Sequence, residues 1–152
     1  MSLLISALRA QLPAERVITD ELRRLAWGTD ASFYRLVPQV VVVAESEADV
    51  LHVLAVARQH GVHLTFRAAG TSLSGQAVTD GILLLIGEGF ATFDLGVDAL
   101  SVRLGAGMIG GEANRRLADV GRKIGPDPAS IATCKIGGIA ANNASGMCCG
   151  TA

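Results

Sequence analysis

The segment Arg67–Gln76 reads R-A-A-G-T-S-L-S-G-Q and follows an apolar run, His63–Phe66, that is typical of a short strand. Between its two end residues the segment contains no side chain larger than that of Leu73, and no acidic residue. Small residues let the backbone approach another molecule closely, and successive free N–H groups in a turn form an anion-binding concavity. The segment therefore predicts a loop that binds the diphosphate of a phosphorylated cofactor.

The residues before this loop predict a strand, a helix and a second strand. Val40–Val43 is a continuous β-branched run, as in a strand buried on both faces. Ser46–Asp49 matches the capping box that begins a helix, and apolar residues then recur at helical spacing until Gly61. We expect the two strands to be parallel, and two short helices over 2–12 and 20–27 to precede them.

The residues after the loop have a different rhythm. Three short strands are predicted at Ile82–Ile86, Phe90–Leu95 and Leu100–Leu104, followed by a helix over Gly110–Val120. Residues 136–150 show no clear period. The fold class expected is α+β, with a small parallel lobe over about 1–75 and an incomplete, mainly antiparallel lobe over about 76–152.

Composition restricts the class of protein. The chain has 152 residues, half of them hydrophobic, and 18 glycines, which is well above ordinary usage. Its formal net charge of −1 does not indicate a nucleic-acid-binding protein. The sequence also has no polybasic segment that would bind a membrane surface. No apolar run reaches the roughly 20 residues of a membrane span. Three cysteines, an odd number, favour a reducing intracellular compartment, and we expect a cytoplasmic location.

One short motif points to another function. Gly105, Gly107 and Gly110 form G-x-G-x-x-G between a predicted strand and a predicted helix. A Rossmann fingerprint also needs a second parallel strand ending in an acidic residue, and here Asp127 lies between two prolines. A glycine turn before a packed helix is the preferred interpretation. An NAD(P)-binding module remains the alternative, and no zinc spacing or Walker lysine motif is present.

A second glycine-rich segment, Gly125–Gly150, reads G-P-D-P-A-S-I-A-T-C-K-I-G-G-I-A-A-N-N-A-S-G-M-C-C-G. Its prolines stiffen a loop, Gly137 and Gly138 permit close backbone approach, and Asn142 and Asn143 can bind backbone or ligand. Taken together, Arg67–Gln76 and P-D-P-x-S followed by I-G-G-x-x-A-x-N-x-x-G resemble the FAD-linked oxidases with a PCMH-type, vanillyl-alcohol oxidase-like FAD-binding domain. The similarity is greatest to the D-lactate dehydrogenase and glycolate oxidase branch, and it begins near Glu15.

The resemblance implies roles for individual residues. The backbone from Ala68 to Ser72 would hold the FAD diphosphate with help from the hydroxyl groups of Ser72 and Ser74, and Gly75 and Gln76 would continue toward the flavin. Pro128 and Ser130 would lie along the ribityl and isoalloxazine side. The cofactor-binding residues expected are therefore Arg67, Ala68, Ala69, Gly70, Thr71, Ser72, Leu73, Ser74, Gly75, Gln76, Pro128, Ser130, Gly137, Gly138, Asn142, Asn143 and Gly146.

Two positions depart from the pattern of relatives. Relatives that attach FAD covalently through the loop carry histidine where this chain has Thr71, so we expect non-covalent FAD. Val40–Ala44 would end near the adenine, but many relatives have proline at the position of Ala44.

Arg67 has two interpretations, a phosphate contact or a solvated arginine at the end of a strand.

The implied activity is oxidation of a 2-hydroxy acid such as D-lactate or glycolate by hydride transfer to FAD. No catalytic residue and no metal ligand is identified, because the family places substrate and base residues in a later cap domain. We therefore expect an N-terminal fragment that is inactive by itself. An iron–sulfur cluster in a C-terminal part, peripheral association with the inner membrane, and a non-catalytic nucleotide-binding role remain open, and the electron acceptor is not identified.

Five further residues invite functional interpretations, and surface or packing roles explain them better. His52, His60 and His63 lie on or beside the first helix-and-strand unit without a metal-ligand pattern, and surface or packing roles are expected. Cys148 and Cys149 are adjacent, which suits neither zinc nor a redox pair, so we expect them to pack near the cofactor groove.

Overall fold

The computed structural model of the chain describes residues 2–146. These residues divide into two compact units, the first ending at Gly87 and the second beginning at Glu88. None of the helices within residues 2–146 is long and apolar enough to cross a membrane.

The first unit is a four-stranded sheet with helices. Its elements are α1 (Ser2–Arg9), a 3-10 turn (Ala14–Arg16), β1 (Val17–Ile18), α2 (Glu21–Ala26), β2 (Val40–Ala44), α3 (Glu47–His60), β3 (Leu64–Arg67) and β4 (Ile82–Ile86). The strand order is β1-β2-β4-β3, in which β1 is antiparallel to β2, whereas β2 and β3 both run parallel to β4.

The parallel relation expected for β2 and β3 is confirmed, but the two strands are not neighbours. β4 lies between them, so that Ile82 is paired with Val40 on one side and with Leu64 on the other. Val40–Val42 and Ile82–Leu84 are completely buried, which is why both runs are apolar without alternation. Such a strand needs cover on both faces, and helix α3 supplies part of it through Val53, Val56 and Ala57.

This placement corrects the expected lobe boundary. Ile82–Ile86 belongs to the sheet of the first unit and not to a second lobe beginning near residue 76, and the units meet at Gly87 and Glu88. The physical reason is that β4 is the central strand of the parallel sheet. Its partners are far away in the chain, so local patterns do not reveal the pairing.

Helix α3 begins and ends as its sequence predicts. Ser46 Oγ accepts a hydrogen bond from the Asp49 N–H (3.2 Å), and Asp49 Oδ2 accepts from the Ser46 N–H (3.1 Å), which completes the capping box. At the other end Gly61 adopts the left-handed conformation with φ +63°. The cap is tied to the rest of the unit because Arg16 donates to Asp49 Oδ2 at 2.6 Å.

The second unit contains the antiparallel pairing that the sequence predicts. Its elements are a 3-10 turn (Glu88–Phe90), β5 (Phe93–Leu95), β6 (Val102–Leu104), α4 (Gly110–Ala118) and α5 (Ile136–Ala141). Strands β5 and β6 pair with Phe93 opposite Leu104. Helix α5 lies where the sequence shows no period, since two glycines in its first turn hide the helical pattern.

Candidate functional site

The glycine-rich loop begins at the carboxyl end of β3, on the edge of the parallel sheet where ligands bind in open α/β sheets. Its backbone N–H groups from Ala68 to Leu73 donate to no acceptor within residues 2–146. Most of this stretch is half-buried, and only Leu73 is exposed. Unpaired donors in a short turn are the defining feature of an anion-binding site, so the structure retains the feature that the sequence predicts.

The hydroxyl group of Ser72 shapes the second half of the loop. Ser72 Oγ accepts hydrogen bonds from the N–H groups of Ser74 (3.1 Å) and Gln76 (3.4 Å) and donates to Gln76 Oε1 (2.9 Å). These bonds turn the chain back on itself. Because they occupy the N–H groups of Ser74 and Gln76, these two groups are not available to a ligand, whereas those from Ala68 to Leu73 are.

Two glycines of the loop are required by their backbone conformation and by their neighbours. Gly70 and Gly75 both have φ +71°, in the left-handed region that disfavours other residues. A Cβ on Gly70 would lie 2.6 Å from Arg67 Nε, and one on Gly75 would lie 2.7 Å from Tyr34 Cδ2. The loop is therefore packed tightly at both positions.

Arg67 is buried, with 8% of its surface exposed, and this finding contradicts the interpretation of a solvated strand-end arginine. Its Nη1 donates to the carbonyl oxygens of Thr29 (2.6 Å) and Ala77 (3.4 Å), and its guanidinium carbon lies 5.1 Å from the centroid of the Trp27 ring. Burial lowers the pKa of this guanidinium, and the negative charge of Asp30 acts in the opposite direction. The alternative interpretation, a phosphate contact, stays a prediction.

Asp30, which lies next to Thr29 in the chain, connects this part of the chain to Ala77 at the end of the loop. Its Oδ2 accepts from the Ala77 N–H (3.3 Å), and its Oδ1 accepts from Ser32 N (2.9 Å) and Ser32 Oγ (2.5 Å). Burial acts to raise the pKa of the Asp30 carboxyl, but these hydrogen bonds and the charge of Arg67 outweigh it, so the pKa lies below its usual value. Asp30 therefore carries its negative charge at neutral pH.

Residues 27–34, called here the brace, contact the loop at several points. Besides the contacts of Arg67, Asp30 and Tyr34, the Ala31 N–H donates to the Gly70 carbonyl oxygen at 3.0 Å. Sequence reasoning did not find the brace, because its residues match no motif and lie far from the loop in the chain. The one available signal was the only tryptophan of the chain, Trp27, at the end of the helix predicted over 20–27.

The segment from Gly125 onward lies in the second unit and is described through Gly146. Pro128 and Ser130 are half-buried, and their carbonyl oxygens accept from Ile131 (2.9 Å) and Cys134 (2.8 Å), which forms a compact turn. The expected packing of Cys148 and Cys149 concerns residues outside those that the structure describes.

The glycines and asparagines of this segment differ in environment. The Gly137 N–H donates to the Ala106 carbonyl oxygen (2.9 Å), and a Cβ on Gly137 would lie 3.0 Å from Ala106 Cβ. Gly138 is half-buried, and Asn142 and Asn143 are exposed. Gly146 is exposed, with φ +97°. A Cβ on this residue would overlap the Asp127 carbonyl group.

An apolar cavity of about 520 Å³ lies within the second unit. It is formed by strand β6, the turn near Pro126 and helix α5 with the residues after it. The lining residues are Val102, Leu104, Ile124, Gly125, Pro126, Ile136, Ile139, Ala140, Asn143 and Ala144. Of the residues expected to bind a cofactor, Asn143 is the one that lines this cavity.

The G-x-G-x-x-G turn has no free donors at its glycines. The N–H groups of Gly105, Gly107 and Gly110 donate to the carbonyl oxygens of Thr92 (2.9 Å), Phe90 (3.0 Å) and Cys134 (3.0 Å). Strand β6, which precedes the turn, is antiparallel to β5, whereas the Rossmann fingerprint follows a strand of a parallel sheet. The structure therefore favours the packed-turn interpretation.

Two of the three histidines make contacts that fit surface or packing roles. His52 Nε2 lies 3.2 Å from the carbonyl oxygens of Ala7 and Leu8, at the end of α1. His63 Nε2 lies 2.7 Å from Asp80 Oδ1, and both side chains are exposed. Within residues 2–146 no group of three or more potential metal-ligating side chains occurs.

Comparison with known proteins identifies the family. Residues 38–152 match the model of a family described as "FAD binding domain". The chain is 30% identical to the glycolate oxidase subunit GlcD of Escherichia coli over 148 residues, which are 95% of this chain and 30% of that protein. It is 31% identical to the D-2-hydroxyglutarate dehydrogenase of Escherichia coli over 133 residues, which are 85% of this chain and 13% of that protein.

Solved structures with the same fold come from several kinds of protein. An alkyldihydroxyacetonephosphate synthase superposes with a TM-score of 0.80 at 18% identity, over 96% of this chain and 32% of that one. Wild-type BBE-like 1 of Physcomitrella patens superposes with a TM-score of 0.71 at 22% identity, over 86% of this chain and 29% of that one. The chain thus spans about a third or less of the length of these proteins. It belongs to the FAD binding domain family, with the PCMH-type fold that the resemblance implied.

Proposed function

We propose that this chain is the cofactor-binding part of a flavin-dependent oxidoreductase that oxidises a 2-hydroxy acid. The observation that carries the proposal is the run of unpaired backbone N–H groups from Ala68 to Leu73, in a chain of the FAD binding domain family. A diphosphate presents several anionic oxygens, and this run presents several donors without acceptors, so the residues present fit the group.

The loop binds the cofactor mainly through its backbone. The N–H groups from Ala68 to Ser72 donate to the diphosphate, and Ser74 contributes its hydroxyl group. The expected help from the Ser72 hydroxyl group does not fit, because this group already donates to Gln76 Oε1. FAD, when bound, accepts the hydride that leaves the substrate carbon. Gly75 and Gln76 extend the site toward the flavin. In the second unit, the residues proposed to bind the cofactor are Pro128, Ser130, Gly137, Gly138, Asn142, Asn143 and Gly146.

The substrate class comes from the relatives. One is named for the oxidation of glycolate and another for the dehydrogenation of D-2-hydroxyglutarate, and both molecules are 2-hydroxy acids. Because the chain spans 30% of the first and 13% of the second, we place the catalytic base and the substrate-binding groups in a cap domain outside these 152 residues. An iron–sulfur cluster and a cytoplasmic or peripheral membrane location stay predictions for the whole enzyme, and its electron acceptor is not identified.

The test begins with the purified protein. We expect visible flavin absorbance, and the flavin released on denaturation should chromatograph as FAD. Flavin-free protein is then loaded with FAD and titrated with competitors. ADP should displace FAD, whereas riboflavin, which lacks phosphate, should not. A protein that binds no flavin and binds NAD, with loss of NAD binding in Gly107→Ala, would support the Rossmann alternative instead.

A second measurement separates an enzyme from a binding protein. Under anaerobic conditions, D-lactate, glycolate and D-2-hydroxyglutarate are added to the flavin-loaded full-length protein, and flavin absorbance is followed. Bleaching by one of these acids supports hydride transfer from a 2-hydroxy acid. Stable FAD binding without reduction by any hydroxy acid would support a non-catalytic nucleotide-binding role.

A further inference from the structure

We propose that Arg67 is a positioning residue that holds the diphosphate loop in its binding conformation through the brace, residues 27–34, before the cofactor arrives. This inference rests on the proposed function, since it concerns the same loop. It differs from a direct phosphate contact, which would place the guanidinium on the cofactor and not on the protein.

The contacts of the guanidinium join three parts of the chain. Arg67 stands at the end of β3, while its Nη1 donates to the Thr29 carbonyl oxygen at 2.6 Å and to the Ala77 carbonyl oxygen at 3.4 Å. Thr29 lies in the brace, and Ala77 follows the loop. One planar cation therefore links the start of the loop, its end and the brace.

The neighbours of the guanidinium suit a buried cation. Its central carbon lies 5.1 Å from the Trp27 ring centroid, and the Asp30 carboxylate supplies the opposite charge. On the side toward the loop, Gly70 leaves the space that the guanidinium fills, because a Cβ there would lie 2.6 Å from Arg67 Nε. The conformation of Gly70 and the position of Arg67 thus depend on each other.

Two further hydrogen bonds close the connection between brace and loop. The Ala31 N–H donates to the Gly70 carbonyl oxygen at 3.0 Å, and the Ala77 N–H donates to Asp30 Oδ2 at 3.3 Å. Both bonds lie beside the guanidinium, and neither involves the cofactor. Their stability without cofactor therefore reports whether Arg67 orders the loop or only meets a phosphate.

Hydrogen exchange in the flavin-free full-length protein tests the proposal. In Arg67→Met we expect the Ala31 and Ala77 amides to exchange about tenfold faster than in the original protein, because the link between brace and loop is lost. Arg58→Met is the matched control: this arginine is exposed at the end of α3, and methionine has a similar helix propensity. The control should leave both amides unchanged.

A second variant keeps the test decisive if Arg67→Met does not fold. Arg67→Lys retains the charge but not the planar fork, and it should accelerate exchange of the same amides to an intermediate degree. Original exchange rates in whichever of the two variants folds would overturn the proposal.

Titration with FAD at several salt concentrations identifies the alternative. If Arg67 is a positioning residue, its substitution lowers FAD affinity without changing the salt dependence of that affinity. The reason is that Arg67 then makes no contact with the charged diphosphate. Weaker FAD binding with a reduced salt dependence and unchanged exchange of Ala31 and Ala77 would show a direct phosphate contact and overturn the proposal. The exchange data require no cofactor, so a failure of FAD binding in the original protein would refute the proposed function alone.

Discussion

The ring of Tyr34 lies where a side chain at residue 75 would have to be, so that a Cβ on Gly75 would come within 2.7 Å of Tyr34 Cδ2. Tyr34 is half-exposed, and its ring centroid lies 4.4 Å from that of Phe33 with the two rings tilted by 35°. The end of the diphosphate loop is thus shaped by an aromatic residue distant in the chain. This contact, with that of Arg67 on Gly70, explains why two left-handed glycines occur in one short loop.

We expect Gly75→Ala to disturb the loop in two ways, through the left-handed backbone conformation at residue 75 and through the contact with Tyr34. We expect a loss of about 1–2 kcal/mol in the free energy of unfolding from the left-handed conformation, plus the cost of displacing Tyr34. FAD affinity should fall by about tenfold, or about 1.4 kcal/mol. The measurements are denaturant unfolding and FAD titration.

A matched control separates the two costs. Gly61 has φ +63°, and among the described residues no atom lies within 4 Å of its Cβ position, so Gly61→Ala should lose stability without losing FAD affinity. Adding Tyr34→Ala to Gly75→Ala should restore part of the loss. Strict additivity of the two substitutions would show that the ring contact carries no energy.

FAD should leave this protein when it is denatured. Thr71 stands at the loop position where covalent relatives carry histidine, and a threonine hydroxyl offers no ring nitrogen for attachment to the flavin. After acid precipitation we expect the flavin in the supernatant. Flavin fluorescence that stays with the precipitated polypeptide would contradict the assignment of non-covalent binding.

We expect Gly105→Ala to lower the free energy of unfolding of the second unit. NAD binding, measured by titration, should not change. A Cβ there would overlap the carbonyl group of Phe90, and the Gly105 N–H is already bonded to Thr92. Overpacking against backbone costs about 1–3 kcal/mol, to be measured by denaturant unfolding. Gly125→Ala is the control, because no atom of residues 2–146 lies within 4 Å of its Cβ position. NAD binding that Gly105→Ala abolishes in a still folded protein would restore the Rossmann interpretation.

Asp49→Asn should lower stability at neutral pH and leave it nearly unchanged in acid. Burial acts to raise the pKa of the Asp49 carboxyl, but hydrogen bonds from Glu45 N, Ser46 N and Arg16 outweigh it, so the pKa in the folded protein is below 3.8. The unfolded chain therefore binds the proton more readily. The contribution of the carboxylate is complete above that unfolded-state value and is lost as the pH falls through the folded-state pKa.

Denaturant unfolding over a range of pH measures this effect. We expect a difference of about 1 kcal/mol between the original protein and Asp49→Asn at pH 7, because a helix cap is weakened. The difference should narrow below about pH 4. Glu47→Gln is the control: it removes a carboxylate from the same helical turn without those hydrogen bonds, and it should cost less stability at pH 7 than Asp49→Asn. A constant Asp49→Asn difference at every pH would contradict the sign of the pKa shift.

Local patterns determined much of the fold. The β-branched run of β2, the capping box at Ser46 and the glycine at residue 61 each act within a few residues, so their structures follow from the sequence. The diphosphate loop was predicted for the same reason, since a run of small residues after a strand is a local property. The place of β4 was missed because strand pairing depends on residues far apart in the chain.

The sequence by itself determined that a glycine-rich loop follows a strand, and its paired motifs indicated the family. Only the tertiary structure decided what holds that loop: Arg67 is buried on the carbonyl oxygen of Thr29, and Tyr34 covers Gly75. It also decided that the glycines of the G-x-G-x-x-G turn have no donors to offer. The physical reason is that a backbone N–H group binds a ligand only if no nearby carbonyl group has already accepted it.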